Sequence, residues 1–206
     1  MGRRCLEAIL NEDKWQVRIL TKNKAVANDF DVVKKYRDRV LVGLTLTGTT
    51  NKSDILSVIE PNASLITERM QVMKQAHRKG FRTYGMLCPL LPGIGNSPKQ
   101  IDTLVKFCEQ VGAEEIFSEA VNARGFGSAV EDALRDAGYA KEANAAGKIR
   151  KHDEWSAYAV ELIKNVQQSM RKYSNIRKLR FLLYSDKLLP KHLKEIKKDD
   201  AGIKWL

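Results

Sequence analysis

Four stretches of this chain share one build, and that repeat constrains the fold more than any other feature. Each begins with apolar or β-branched residues and ends in hydroxyl, amide, Gly or Pro residues, at 16–23, 40–50, 83–96 and 115–127. The segments between them carry the three- and four-residue apolar spacing of helices. Strands that alternate with helices form parallel sheets, so the sequence predicts an α/β fold.

The second stretch, VLVGLTLTGTT at residues 40–50, predicts a strand that is covered on both faces. Its apolar part lacks polar alternation, and its Thr/Gly end indicates that the strand opens into a site. Strand alternation places Gly43, Thr45 and Thr47 on one face, where small residues would leave room inside a barrel. Threonine is also a good strand former, and for Thr45 taken alone this is the simpler interpretation.

The chain changes character near residue 127. Residues 1–127 carry the strand–helix repeat and are predicted to form a partial barrel. Residues 128–206 are predicted to be a helical, basic extension with one short strand at 180–184. Residues 141–206 hold 16 basic and 8 acidic side chains, against 20 and 17 in residues 1–140. This excess favours a polyanionic partner such as nucleic acid, although solvated lysines that keep the protein soluble explain it equally well.

The cysteines and the apolar runs exclude several classes of protein. No apolar run approaches membrane-spanning length and the first residues do not form a signal peptide, so we expect a cytoplasmic protein without a membrane partner. Cys5, Cys88 and Cys108 lack the spacing of a metal knuckle, and an odd count argues against a disulfide framework.

In parallel α/β folds the ligand site lies at the carboxyl ends of the strands. The residue types there suit a small polar ligand that carries a carboxylate or a ribose. No catalytic triad is recognisable, and PGIGN lacks the pattern of a phosphate loop. The candidates are Thr21, Lys22, Asn23, Thr45, Thr47, Thr49, residues 89–96, Glu119, Asn122 and Arg124.

Several short motifs, in the same order along nearly the whole chain, resemble the radical S-adenosylmethionine proteins of the spore photoproduct lyase-like group, often labelled DNA repair photolyases. They are TKN at Thr21, VGLTLT at Val42, IEPNAS at Ile59, the helix with Glu68 and Arg69, CPLLPGIGNSP at Cys88, EAVNARG at Glu119, and the ending from LLYSDKLLP to IKWL.

The resemblance implies a partial (β/α) barrel of six units, a TIM-like arrangement that binds a [4Fe-4S] cluster and S-adenosylmethionine. Reductive cleavage of the latter would give a 5′-deoxyadenosyl radical. Lys22 would lie near the methionyl carboxylate, and Thr45, with Thr47 beyond it, at a position that contacts ribose or carboxylate. The adenine pocket would be lined by Cys88, Pro89 and Leu90 and closed by Glu119 and Asn122 from the next strand.

One departure from that group is severe, because the CxxxCxxC motif that holds the cluster is absent. We therefore expect no metal ligands here, and interpret the chain as a carboxyl-terminal portion that begins after the first two strand–helix units. Alone it would lack radical chemistry, and a separate chain would carry the cluster. Two alternatives are a non-enzymatic nucleic-acid-binding protein that uses the basic tail, and an unrelated α/β enzyme that uses Lys22 and Glu119.

Overall fold

The computed structural model describes residues 2–12, 14–122 and 128–206 of the chain. Within them, six parallel strands form one sheet, and each strand pairs with the strands before and after it in the sequence. This sequential order confirms the α/β class and is compatible with a partial barrel. The strands are β1 (Val17–Thr21), β2 (Val40–Leu44), β3 (Arg82–Leu87), β4 (Ala113–Ser118), β5 (Leu179–Leu183) and β6 (Ile203–Trp205).

Helices connect the strands and cover one face of the sheet. Crossovers between sequential parallel strands are right-handed in nearly all folds, which places their helices on one side of the sheet. The longest helix, α8, packs against α5 and α9, and α6 pairs with α7. The helices are α1 (Gly2–Asn11), α2 (Phe30–Val33), α3 (Ser53–Ile59), α4 (Ile66–Arg78), α5 (Pro98–Gln110), α6 (Ser128–Asp136), α7 (Ala140–Lys148), α8 (His152–Tyr173) and α9 (Pro190–Ile196).

The core lies between these helices and the outer face of the sheet. Alternate residues of β1 and β5, such as Ile19 and Phe181, point into it, while their neighbours Arg18 and Arg180 point to the opposite face. We call that opposite side the inner face. On this face the Glu115 carboxylate accepts from Arg18 at 2.8 Å and from Arg180 at 2.9 Å. These ion pairs join three strands across the inner face.

Residues 128–206 contribute two strands to the sheet, so the prediction of one short strand there was wrong. The second of these strands, β6, spans only Ile203–Trp205. Three residues are too few to carry a strand pattern, and β6 forms because β5 offers a free edge. Phe181 N–H donates to Gly202 O at 2.8 Å, and Leu206 N–H donates to Leu183 O at 2.9 Å. The described part of the chain thus supplies six strands to one sheet.

The expected free space beside Gly43 is filled. A Cβ on Gly43 would lie 2.6 Å from the ring of Tyr84, so the glycine makes room for that side chain. Tyr84 is fully buried, and its hydroxyl donates to Ile19 O at 3.1 Å. The guanidinium of Arg18 lies 4.8 Å from the ring centres of both Tyr84 and Phe117. The small-residue face of β2 thus accommodates an aromatic cluster at this level of the sheet.

No helix in the described ranges is both long enough and apolar enough to cross a membrane.

Candidate functional site

A buried arginine holds the carboxyl end of β2 in place. Arg69, on α4, is only 2% exposed. Its Nε donates to Ser64 O at 2.7 Å, its Nη1 donates to Thr45 O at 3.1 Å, and its Nη2 donates to Glu60. The resemblance gave Arg69 no role, and these contacts identify it as the residue that fixes the end of β2.

Lys22 lies at the same end of the sheet, and its Nζ is 2.8 Å from Glu60 Oε1. Burial would raise the pKa of Glu60, but hydrogen bonds from Lys22 and Arg69 outweigh burial and hold it below the ordinary value. One carboxylate therefore faces two cations, and the three groups carry a net charge of +1. The side chain of Lys22 is 38% exposed, whereas that of Arg69 is enclosed. The accessible part of this charge is the lysine ammonium.

Thr45 and Thr47 follow β2 and are both buried. Thr45 N–H donates to Thr21 O at 3.1 Å, so its backbone extends the pairing with β1. The Thr47 hydroxyl has no hydrogen-bond partner among the described residues. A Cβ on Gly95 would lie 2.4 Å from Thr47 O, so the loop after β3 passes directly over this residue.

Cys88 and Glu119 meet across the ends of β3 and β4, where the thiol donates to Glu119 Oε2 at 3.1 Å. Burial, and then the charge of Glu119, raise the pKa of Cys88 well above its ordinary value, so the sulfur is a protonated thiol at neutral pH. Tyr158 of α8 lies close to this pair. Burial raises the pKa of Tyr158, and its hydroxyl donates to Leu90 O.

The next two predicted residues differ in what they expose. The Cys88–Pro89 peptide bond is cis, and Pro89 is partly exposed. Leu90 is fully buried and belongs to the hydrophobic core, so only Cys88 and Pro89 of this trio present side-chain surface. Lys22, Cys88, Pro89 and Glu119 therefore line the accessible strand ends, with Thr45 and Thr47 enclosed beneath.

A cavity of about 570 Å³ opens between the ends of β4 and β5. Of the predicted residues only Glu119 and Asn122 line it. The other lining residues come from the approach to α8 and the segment after β5, and the sequence pattern did not predict them. The one sequence feature that pointed to them was Tyr184, at the end of the strand predicted at 180–184. The lining residues are Glu119, Ala120, Asn122, Arg150, His152, Trp155, Leu182, Leu183, Tyr184, Asp186 and Lys187. Arg124 lies outside the described residues.

The residues do not fit an iron–sulfur cluster. In the described part of the chain, no three His, Cys, Asp or Glu side chains are grouped so as to hold a metal ion. Cys5 is exposed on α1, Cys88 donates to Glu119, and Cys108 is buried on α5. A [4Fe-4S] cluster requires several thiolates at one place.

No family model matches the chain. A segment of 110 residues is 24% identical to "Uncharacterized protein ORF301" of Acidianus two-tailed virus. The match covers 52% of this chain and 36% of the viral protein, so the chain spans little more than a third of that relative's length.

Proposed function

We propose that the chain is a ligand-binding portion of a radical S-adenosylmethionine-type barrel, which binds the cofactor at its strand ends but does not cleave it alone. The observation that carries the proposal is the net positive cluster of Lys22, Glu60 and Arg69. It lies where the motif resemblance expects a carboxylate-binding lysine, and the Cys88–Glu119 contact lies at the ends of β3 and β4 of the same sheet.

The residues fit S-adenosylmethionine in part. Glu60 already compensates the buried Arg69, so Lys22 keeps N–H donors for a carboxylate. Glu119 accepts from the Cys88 thiol at the neighbouring strand ends. S-adenosylmethionine would supply an adenosyl radical only after reduction by a cluster, and the described residues hold no grouped ligands for one.

The test is calorimetric titration of S-adenosylmethionine into the full chain and into Lys22→Ala. Loss of a charge-assisted hydrogen bond costs roughly 1.5–3 kcal/mol, so affinity should fall about tenfold or more. Lys24→Ala is the matched control, because Lys24 is a neighbouring lysine whose Nζ pairs with Glu68 at the surface. Equal affinity in Lys22→Ala and the parent chain, or no binding by the parent, would refute the proposal.

The iron–sulfur cluster and the separate chain proposed to carry it have their own test. Anaerobic reconstitution of the chain alone should leave no bound iron, because its cysteines lie on separate elements. We propose that the cluster belongs to a separate chain, whose addition would restore iron binding. Iron bound stoichiometrically by the isolated chain would contradict this account.

Nucleic-acid binding is the second candidate, favoured by the 16 basic and 8 acidic residues in 141–206. Part of this charge is exposed near the end of the chain at Lys194, Lys197 and Lys198. Binding driven by phosphate contacts must weaken steeply as salt rises. Fluorescence anisotropy with a labelled oligonucleotide at two salt concentrations tests it, and salt-independent or absent binding would exclude this function.

A further inference from the structure

We infer that the cavity between the ends of β4 and β5 is a second binding site, separate from the proposed cofactor site, for a small molecule with a flat ring and an anionic group. Its volume of about 570 Å³ lies in the range of small-molecule sites. Glu119 lies at the boundary between the two sites, because it accepts from Cys88 on one side and lines this cavity on the other.

The walls favour a flat, apolar body. Trp155 Nε1 donates to Val121 O at 2.7 Å, which fixes the indole at the cavity wall. Tyr184 lies on the opposite element and is 49% exposed, although it follows a buried strand. Leu182 adds aliphatic surface from β5. An aromatic ring would cover apolar surface that this part of the chain leaves open to water.

One end of the cavity carries excess positive charge. The carboxylate of Glu131 lies 3.1 Å from Arg135 and 3.4 Å from Arg150, so one acid serves two guanidinium groups. Of the two, Arg150 lines the cavity. Lys187 pairs with Asp186 at the same rim, and these two charges cancel. The guanidinium of Arg150 is therefore the group that would receive an anion.

The segment that brings Lys187 to the cavity is held in place. His152 Nε2 lies 2.7 Å from Lys187 O, which joins the start of α8 to the turn after β5. The start of α8 and the turn after β5 thus border one opening together. Glu119 and Asn122 border the other end, where a carboxylate acceptor suits a hydroxyl or amine donor. The cavity therefore matches a ring with a donor at one end and an anion at the other.

The probe is 5-hydroxyindole-3-acetate, compared with its neutral amide by calorimetric titration of the full chain. We expect the carboxylate to bind at least tenfold more tightly than the amide. Arg150→Gln should abolish that difference, and Tyr184→Ala should weaken both compounds. Arg177→Gln is the control, because Arg177 is an exposed arginine that does not line the cavity. Thermal melts confirm that each variant is folded.

Three outcomes would overturn the inference: no binding of either compound, equal binding of the two, or an undiminished preference in Arg150→Gln. Competition by S-adenosylmethionine would also overturn it, since the two sites would then be one. Lys22→Ala should leave probe binding unchanged. A chain that binds the probe but not S-adenosylmethionine would refute the cofactor proposal alone.

Discussion

At the scale of single residues, the strand-end site depends on a buried charge. Arg69 is enclosed, and Glu60 is the only carboxylate that the described contacts place against it. Removing one partner of a buried ion pair leaves the other charge uncompensated in a poorly hydrated place. The position of the Thr45 carbonyl, and through it the end of β2, therefore depends on the ionisation of Glu60.

Glu60→Gln should lower the free energy of unfolding by roughly 3–5 kcal/mol at neutral pH, because it leaves the buried Arg69 guanidinium without a carboxylate partner. Glu68→Gln removes a surface partner of Lys24 and should lower the free energy of unfolding much less. Urea unfolding of the two variants at one pH gives the comparison. Equal losses in both would contradict the role given to Arg69.

The pH dependence follows from the same pair. The pKa of Glu60 in the folded chain lies below its ordinary value of 4.5. The stability that ionised Glu60 contributes is therefore complete above pH 4.5 and is lost as pH falls through the folded pKa. Stability of the parent chain should therefore decline on acidification below about pH 4.5, more steeply than that of Glu60→Gln. Urea midpoints between neutral pH and pH 3 measure the slopes, and identical slopes would exclude this linkage.

At the scale of elements, the sequence predicted what short-range patterns determine. At the start of α5, Ser97 Oγ accepts from Gln100 N at 3.4 Å, a cap that the three-residue spacing of Ser97 and Gln100 favours. Gly80 and Gly112, which follow α4 and α5, have the positive φ angles that glycine commonly adopts at the ends of helices. The pattern could not predict which face of β2 is filled, because the ring over Gly43 comes from Tyr84, more than forty residues later. The cavity between β4 and β5 was missed for the same reason, since Arg150 and Tyr184 meet only in the folded chain.

Gly43→Ala tests the close packing of β2 against β3. Its Cβ would lie 2.6 Å from the Tyr84 ring, and overpacking of this kind costs typically 1–3 kcal/mol. Gly48→Ala is the control from the same run, because its nearest contact is Leu56 Cδ1 at 3.3 Å. Chemical denaturation should show the larger loss in Gly43→Ala. A neutral Gly43→Ala would mean that Tyr84 does not occupy this space.

At the scale of the molecule, one sheet joins the two regions that the sequence divides at residue 127. The ladder continues from Ile116 and Phe117 of β4 to Leu179 and Arg180 of β5. Residues from both regions belong to one hydrophobic core, in which α5 packs against α8. The change of composition near residue 127 reflects longer helices and more lysine. Neither property indicates which strands pair, so the composition could not predict that one sheet spans both regions.

The full chain should consequently unfold in a single cooperative transition. Two probes follow it, tryptophan fluorescence and far-ultraviolet circular dichroism. Trp15 precedes β1, Trp155 lies on α8 and Trp205 on β6, so fluorescence samples both regions. Coincident urea curves are the expected result, because β4 and β5 share a ladder and the two regions share one hydrophobic core. Two separated transitions, with an early step confined to residues 128–206, would instead mean that the region folds as an independent extension.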